Sequence, residues 1–116
     1  MAYALLVYDR GDSLDALSPP DREAVYGEYE AFARTAGVTG YRLQPPATAS
    51  TLRIEGGERE LRPGPATTPE LAGFYLLATD DPAEALELAA RIPAARLGGA
   101  VTIHPLREAG RQGKVT

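Results

Sequence analysis

The stretches Tyr3–Tyr8 (YALLVY) and Gly73–Thr79 (GFYLLAT) decide the fold of this chain. Both are short, and both carry apolar residues at consecutive positions rather than at every second position. Segments of this length are too short for a stable helix, whereas a strand that is buried on both faces shows this pattern. The two stretches are therefore predicted to be the central strands of one sheet.

A helix is predicted to follow the first strand, over Pro19–Ala36. Ser18 suits the N-cap, and the proline after it suits the first helical position. Gly37 suits the residue that follows the helix end. The apolar residues have the spacing of one stripe on a helix face: Val25, Tyr29, Phe32, Ala33 and Ala36. A second helix is predicted to begin in the same way after Asp81.

The other predicted strands are Thr39–Leu43, a hairpin of Thr51–Ile54 and Arg59–Leu61, and Ala100–His104. The Gly56-Gly57 pair is typical of a tight hairpin turn. A two-residue turn would place two glutamates opposite each other, so a longer loop is an alternative. We expect a single domain over residues 1–107, in which residues 44–70 form a hairpin and a proline-rich insertion. Residues 108–116 carry no apolar pattern and are expected to be a flexible tail.

The order of these elements predicts a ferredoxin-like α+β fold. Four antiparallel strands would form the sheet in the spatial order fourth, first, third, second, with two helices on one face. The other face would then carry exposed apolar residues, which is rare on a monomer. We therefore expect a homodimer that packs sheet face on sheet face. The alternative is that residues 44–70 fold over that face.

Composition excludes several classes of function. The chain has 116 residues and a net charge of −4, which argues against a general nucleic-acid-binding protein. It has no cysteine and one histidine, so we expect no metal site and no cofactor. The longest apolar run falls short of the roughly 20 residues that span a bilayer. The N-terminus resembles no signal peptide, and we expect a cytoplasmic protein that does not bind membranes.

His104 is the first candidate for catalysis, because histidine is the side chain whose ordinary pKa lies nearest neutral pH. A general acid or base needs an orienting partner, ideally a carboxylate. Asp9 ends the first strand at the opposite end of the predicted sheet, so it is an unsuitable partner. Asp80 and Asp81, just after the third strand of the main sheet, are closer. The structural alternative is an exposed histidine at a strand end.

Six further residues are candidates for lining a ligand pocket. Arg42, Gln44 and Arg62 flank the proline-rich insertion and could bind an anionic ligand, since arginine suits carboxylates and phosphates. Tyr8, Tyr29 and Tyr75 could present polar tips to a small oxygenated ligand. The structural alternatives are solvated charges for the first group and ordinary core or interface packing for the tyrosines.

Several stretches resemble the YCII-related, DGPF-domain family: Tyr3–Tyr8 (YALLVY), Tyr29–Phe32 (YEAF), Leu43–Thr51 (LQPPATAST), Leu71–Tyr75 (LAGFY) and Pro93–Arg96 (PAAR). The resemblance covers residues 3–106. It implies a dimeric α/β barrel built from ferredoxin-like protomers. Members of this family are proposed to be enzymes or accessory proteins.

The chain departs from the family pattern at two sites. The stretch that matches the Asp-Gly-Pro-Phe motif reads Arg62–Glu70 (RPGPATTPE), which keeps neither the aspartate nor the phenylalanine in register. Any role of that aspartate is therefore not carried over. A histidine–aspartate site is proposed in YCII-like relatives, with its histidine on the first helix. This chain has no histidine there, and Tyr26 and Tyr29 are the nearest residues with polar tips.

Two functional interpretations follow from these residues. The first is a YCII-related homodimer of unknown activity that binds a small molecule or acts as an accessory protein. The alternative is a cofactor-free isomerase or lyase that acts on a small oxygenated acid in a barrel pocket, by analogy with other ferredoxin-like dimers. Both an enzyme and a non-enzymatic protein fit the sequence, and a purely structural partner of another protein is a third possibility.

Overall fold

A computed structural model describes residues 2–10, 14–66 and 70–107. It contains six strands and two α-helices, in the order β1 (Tyr3–Asp9), α1 (Pro19–Ala33), β2 (Val38–Arg42), β3 (Ser50–Glu55), β4 (Glu58–Pro63), β5 (Glu70–Leu77), α2 (Pro82–Ala90) and β6 (Ala100–Pro105). Short 3-10 turns occupy Pro46–Thr48 and Pro93–Ala95. The predicted tail, 108–116, lies outside the described residues, as does part of the proline-rich loop.

Four strands form the main sheet in the order β2-β5-β1-β6. Every neighbouring pair is antiparallel. The two strands with consecutive apolar residues, β1 and β5, lie at the centre, as the sequence predicts. The ferredoxin-like α+β fold and its strand order are confirmed.

The hydrophobic core lies between one face of this sheet and the two helices. Tyr3, Leu5 and Val7 alternate along β1 and are buried. The same face of β5 contributes Tyr75, whose ring packs edge-on against Phe32 of α1 with 4.9 Å between the ring centroids. We call the opposite face the outer face; it carries Ala4, Leu6, Tyr8, Thr39, Tyr41, Phe74, Leu76, Thr102 and His104.

Helix α1 ends earlier than the sequence pattern predicts. Ser18 caps its start as expected, with the side chain accepting a hydrogen bond from the Asp21 backbone N–H at 3.3 Å. The last helical residue is Ala33, however, and not Ala36. The chain needs these residues to turn towards β2, where Val38 is buried, and the Val38 N–H donates to the Thr35 carbonyl at 3.1 Å. Ala36 is exposed, so it is not part of the buried face of the helix although its position fits the apolar spacing.

Strands β3 and β4 form a two-stranded sheet of their own. Gly56 and Gly57 make a two-residue turn with φ of 58° and 82°, the left-handed values of a type I′ hairpin. Glu55 therefore does stand opposite Glu58, and the longer-loop alternative is wrong. The two glutamates are exposed, so water screens their repulsion.

The outer face of the main sheet carries exposed apolar side chains that no described part of the chain covers. Tyr41 is 72% exposed and Leu76 is 42% exposed. The alternative in which residues 44–70 fold over this face is therefore not adopted in the described part of that segment.

Among the described residues, no helix is both long enough and apolar enough to cross a membrane.

Candidate functional site

Three charged residues meet at one end of the main sheet, which we call the pocket end. Asp9 is the last residue of β1, Arg42 is the last of β2, and Glu70 is the first of β5. Asp9 and Glu70 are register partners across the antiparallel ladder. Antiparallel order brings the end of β1 and the end of β2 to the start of β5, so this convergence follows from the topology.

The side chain of Arg42 extends across β5 towards β1. Its register partner on β5 is Gly73, which has no side chain to block that path. The backbones are close here, because a Cβ at Gly73 would lie 3.0 Å from the Tyr41 carbonyl oxygen. Arg42 Nη2 reaches to 3.7 Å from Asp9 Oδ2. The guanidinium carbon lies 4.1 Å from the ring centroid of Tyr29, within the range of a cation–π contact.

The hydrogen-bonding capacity of Arg42 is only partly used. The distance of 3.7 Å to Asp9 is too long for a hydrogen bond, so this ion pair is loose. Arg42 Nη1 is buried and has no hydrogen-bond acceptor among the described residues. A buried guanidinium donor without an acceptor is costly, and an anion or a water molecule would relieve that cost.

The environment perturbs the acids around this guanidinium. Burial raises the pKa of Asp9, Arg42 opposes that shift, and Glu70 adds to it through like-charge repulsion. Burial also raises the pKa of Tyr29, against the lowering effect of Arg42. The Tyr29 hydroxyl is therefore neutral over the ordinary pH range, and the pKa of Asp9 lies above that of an ordinary aspartate.

A pocket of about 320 Å³ opens at the pocket end. Its lining residues are Asp9, Arg10, Leu14, Asp15, Tyr26, Arg42, Leu43, Gln44, Pro45, Pro46, Glu70 and Ala72. The volume is at the lower end of the range for small-molecule sites, roughly 300–1,000 Å³. Leu14 and the two prolines supply apolar wall, while Arg42 and Asp9 supply the charged groups.

The structure brings some of the predicted ligand residues together. Arg42 and Gln44 line the pocket. Tyr29 lies beneath the guanidinium, and Tyr75 is a core residue, 2% exposed, whose pKa burial raises and Arg42 lowers. Tyr8 is on the outer face, away from this group.

The structure places Arg62 elsewhere, on the hairpin. It is exposed there and pairs with Glu60 at 2.8 Å. Within the described part of the predicted insertion, the lining residues are Gln44, Pro45, Pro46 and Glu70 at its two ends, and none comes from the hairpin.

His104 lies at the opposite end of the main sheet from the pocket. It is exposed on β6, and its register partner on β1 is Ala4 near the strand start. Its Nε2 makes a hydrogen bond of 2.8 Å with Thr102 Oγ1. Asp81 is used as the N-cap of α2, where its carboxylate accepts from the Ala83 N–H at 2.9 Å. Among the described residues, no group of three His, Asp or Glu side chains could hold a metal ion.

Sequence reasoning missed several pocket residues, including Asp9, Glu70 and Tyr26. Asp9 was considered only as a partner for His104. The predicted strand order already implies that Asp9 and Arg42 lie close together, because both β1 and β2 flank β5 and both end at the same edge. Tyr26 has no apolar or charge pattern that marks it as part of a pocket, and its one signal is its place near the helix position where YCII-like relatives carry a histidine.

A ferredoxin-like α+β protomer with an arginine-bearing pocket at one end of its sheet is the class of protein that these observations define. The family model of the YCII-related domain matches residues 1–109. The chain therefore belongs to the YCII-related family, and the resemblance seen in the sequence is confirmed. No curated protein matches the chain significantly.

Proposed function

We propose that this YCII-related protein binds a small organic anion in the pocket beside Arg42. The observation that carries the proposal is the guanidinium itself, which is held over Tyr29, is only loosely paired with Asp9, and leaves a buried donor without an acceptor. Carboxylates match the planar donor geometry of arginine, so a carboxylic acid is the ligand class best suited to it.

The charges around the pocket favour a ligand with a single negative charge. Three carboxylates (Asp9, Asp15 and Glu70) stand against two guanidinium groups (Arg10 and Arg42) among the lining residues. A dianion would meet more repulsion than a monoanion in this setting. The apolar wall suits a ligand with an apolar body behind its charged group.

The proposal includes a homodimer, in which the outer face of one chain packs on the outer face of the other. Support comes from the exposed apolar side chains of that face, with Tyr41 72% and Leu76 42% exposed. A patch of this kind is typical of an interface rather than of a free surface. A chain without cysteine suits the reducing cytoplasm, which is its proposed location.

Calorimetric titration with benzoate tests the ligand proposal, with benzamide as the uncharged probe of the same shape. We expect benzoate to bind and benzamide to bind at least about tenfold more weakly, because the amide lacks the charge that pairs with Arg42. Arg42→Gln should reduce benzoate affinity by about tenfold or more. Arg62→Gln is the matched control and should leave the affinity unchanged, since that arginine is on the hairpin. Equal binding of benzoate and benzamide, or equal effects of the two substitutions, would contradict the proposal.

Sedimentation equilibrium tests the dimer. The wild-type chain should sediment as twice the 12.3 kDa protomer, and Leu76→Glu should shift it to the monomer, because a charge would be buried in the interface. A wild-type monomer at all concentrations would contradict this part of the proposal.

A second candidate function is a cofactor-free isomerase or lyase that uses the same pocket. The raised pKa of Asp9 favours it, since acids with perturbed pKa values in a cleft are candidates for proton transfer. In that case Asp9, rather than His104, would exchange the proton with a carboxylate-bearing substrate held by Arg42. If Asp9→Asn abolished turnover of such a substrate while benzoate binding persisted, the protein would be an enzyme rather than a binding protein alone.

A further inference from the structure

We propose that the β3–β4 hairpin is a dimerisation arm, whose apolar face packs on a second copy of this chain. The inference rests on the homodimer proposed above and adds a second contact region to it. We call residues Ser50–Pro63 the arm.

The arm has two chemically different faces. Register partners lie on the same face of a hairpin, and Leu52 stands opposite Leu61. Ile54 lies on this face as well, two residues along β3 from Leu52. The other face carries the pair of Arg53 and Glu60. Arg59, the register partner of Ile54, lies on the same face as the two leucines, so this face is mainly apolar with one arginine near the turn, whereas the other face is polar and charged. A hairpin that buries one side has this pattern.

The apolar face of the arm has no cover within its own chain among the described residues. Leu52 is 55% exposed, Ile54 is 60% exposed and Leu61 is 68% exposed. An isolated two-stranded hairpin is at best marginally stable in water, and it needs packing against another element for independent stability. The chain itself does not supply that element in the described residues.

The molecule has an extended shape, and the main contacts of β3 and β4 are with each other. The radius of gyration is 16.0 Å, whereas a compact chain of this length would have about 13 Å. The principal extents are 49 × 35 × 19 Å. An arm that reaches away from its own core is placed to contact a neighbouring molecule.

The area of the proposed interface favours a second copy as the occupant. Four strands at about 4.8 Å spacing and five residues at about 3.3 Å give the outer face an outline of roughly 300 Å² per chain. Two such faces bury roughly 600 Å². Even if the uneven surface of the side chains doubled that area, it would only reach the lower limit of about 1,200 Å² for a stable complex. Two arms of roughly 200 Å² each, with the surfaces that they cover, would add about 800 Å².

The arm is also continuous with the outer face. It leaves the main sheet after β2, the strand that carries the 72% exposed Tyr41 on that face. A partner seated on the outer face is therefore already close to the base of the arm. A second copy brings both surfaces at once, which an unrelated partner would need to match separately.

Paired substitutions on the two faces of the arm test the proposal. Leu52→Ser with Leu61→Ser removes the apolar pair, and Arg53→Ser with Glu60→Ser is the matched control one register step away. The first variant should raise the dimer dissociation constant by about tenfold or more in sedimentation equilibrium, and the control should change it by less than about twofold. Equal dissociation constants for the wild type and the leucine variant would overturn the proposal that the arm is part of the dimer interface.

Leu76→Glu separates failure of the arm from failure of the dimer. If this outer-face variant is monomeric while the leucine variant dimerises normally, the dimer stands and the arm is overturned. If the wild type is itself monomeric, both proposals fail. If neither variant alters a wild-type dimer, the chains associate through another surface, and both proposals are again overturned.

A spin label gives a second measurement that needs no disruption of the arm face as a whole. The chain has no cysteine, so Ile54→Cys provides a single labelling site on the arm. Labelled chains are mixed with nitrogen-15 chains that carry no label. Broadening of resonances in the isotope-labelled copy is expected, because the arm of one chain lies against the other. Unbroadened resonances throughout the isotope-labelled copy would overturn the proposal.

Discussion

The two ends of the main sheet are built from the same strands but carry different kinds of residue. At the pocket end, Asp9, Arg42 and Glu70 bring charge to a cavity of about 320 Å³. At the other end, which we call the closed end, Tyr3 has Leu77 as its register partner on β5, and both are buried. The comparison shows that topology sets which strand ends meet, whereas the residues at those ends determine whether they form a packed core or a charged pocket.

The largest expected effect is on stability at the closed end. Leu77 is 1% exposed, and Leu77→Ala should reduce the free energy of unfolding by about 2–5 kcal/mol, since it leaves a cavity in the core. Leu76→Ala, at the neighbouring position that is 42% exposed, should reduce the free energy of unfolding by less than half as much. Denaturant unfolding at one fixed protein concentration measures both. Benzoate affinity of the folded Leu77→Ala protein should be unchanged, and its loss would break the distinction between the two ends.

A smaller effect is expected from the glycine beneath Arg42. Gly73→Ala places a Cβ 3.0 Å from the Tyr41 carbonyl oxygen and 3.3 Å from the Arg42 Cα, so the backbones must separate slightly. We expect a loss of about 1–3 kcal/mol in unfolding free energy together with weaker benzoate binding.

Gly27→Ala is the matched control for this substitution. Gly27 lies within α1, and an added Cβ would have no atom within 4 Å. Alanine should therefore stabilise the helix by up to about 1 kcal/mol without altering benzoate binding. Similar effects of the two alanines would show that Gly73 has no special part in the pocket.

The sequence specified the sheet more completely than the site. The consecutive apolar residues of Tyr3–Tyr8 and Gly73–Thr79 located the central strands, because burial on both faces leaves a signal along the chain. The pocket has no such signal. Asp9 and Arg42 are separated by most of the first half of the sequence, and their proximity depends on β5 lying between β1 and β2 and on Gly73 leaving room for the guanidinium.

The pH dependence of binding should sharpen the role of Asp9. As the pH falls through its raised pKa, Asp9 becomes neutral and Arg42 loses its opposing charge, so affinity for an anion should rise. Benzenesulfonate is the suitable probe, since it stays ionised over this range. Asp9→Asn should bind it with an affinity that varies less over that interval, because the pocket then has one titrating carboxylate fewer. A wild-type affinity that falls on acidification would contradict this account.

The same group gives a prediction for stability. The pKa of Asp9 is higher in the folded chain than in the unfolded chain, so its protonated form stabilises the fold. That contribution is complete below the unfolded pKa and is lost as the pH rises through the folded pKa. The difference in unfolding free energy, Asp9→Asn minus wild type, should therefore increase with pH over this interval. Chemical denaturation across a pH series measures it, and a difference that decreases would have the wrong sign.

The smallest effect is expected for His104. It is exposed, and its side chain forms a hydrogen bond with Thr102 on the same strand. His104→Gln should change the free energy of unfolding by less than about 0.5 kcal/mol and should leave benzoate affinity unaltered. A marked loss of binding would place a functional residue at the closed end and would contradict the proposed pocket at the other end.

The most direct test is a titration of the isotope-labelled protein with benzoate, followed by two-dimensional proton–nitrogen NMR. Saturable shifts are predicted for the backbone amides of Asp9, Arg42 and Gln44 at the pocket end. The amides of Thr102 and His104 at the closed end should not move. Shifts that cluster around His104 and leave Arg42 unchanged would contradict the central claim that the arginine-bearing pocket is the binding site.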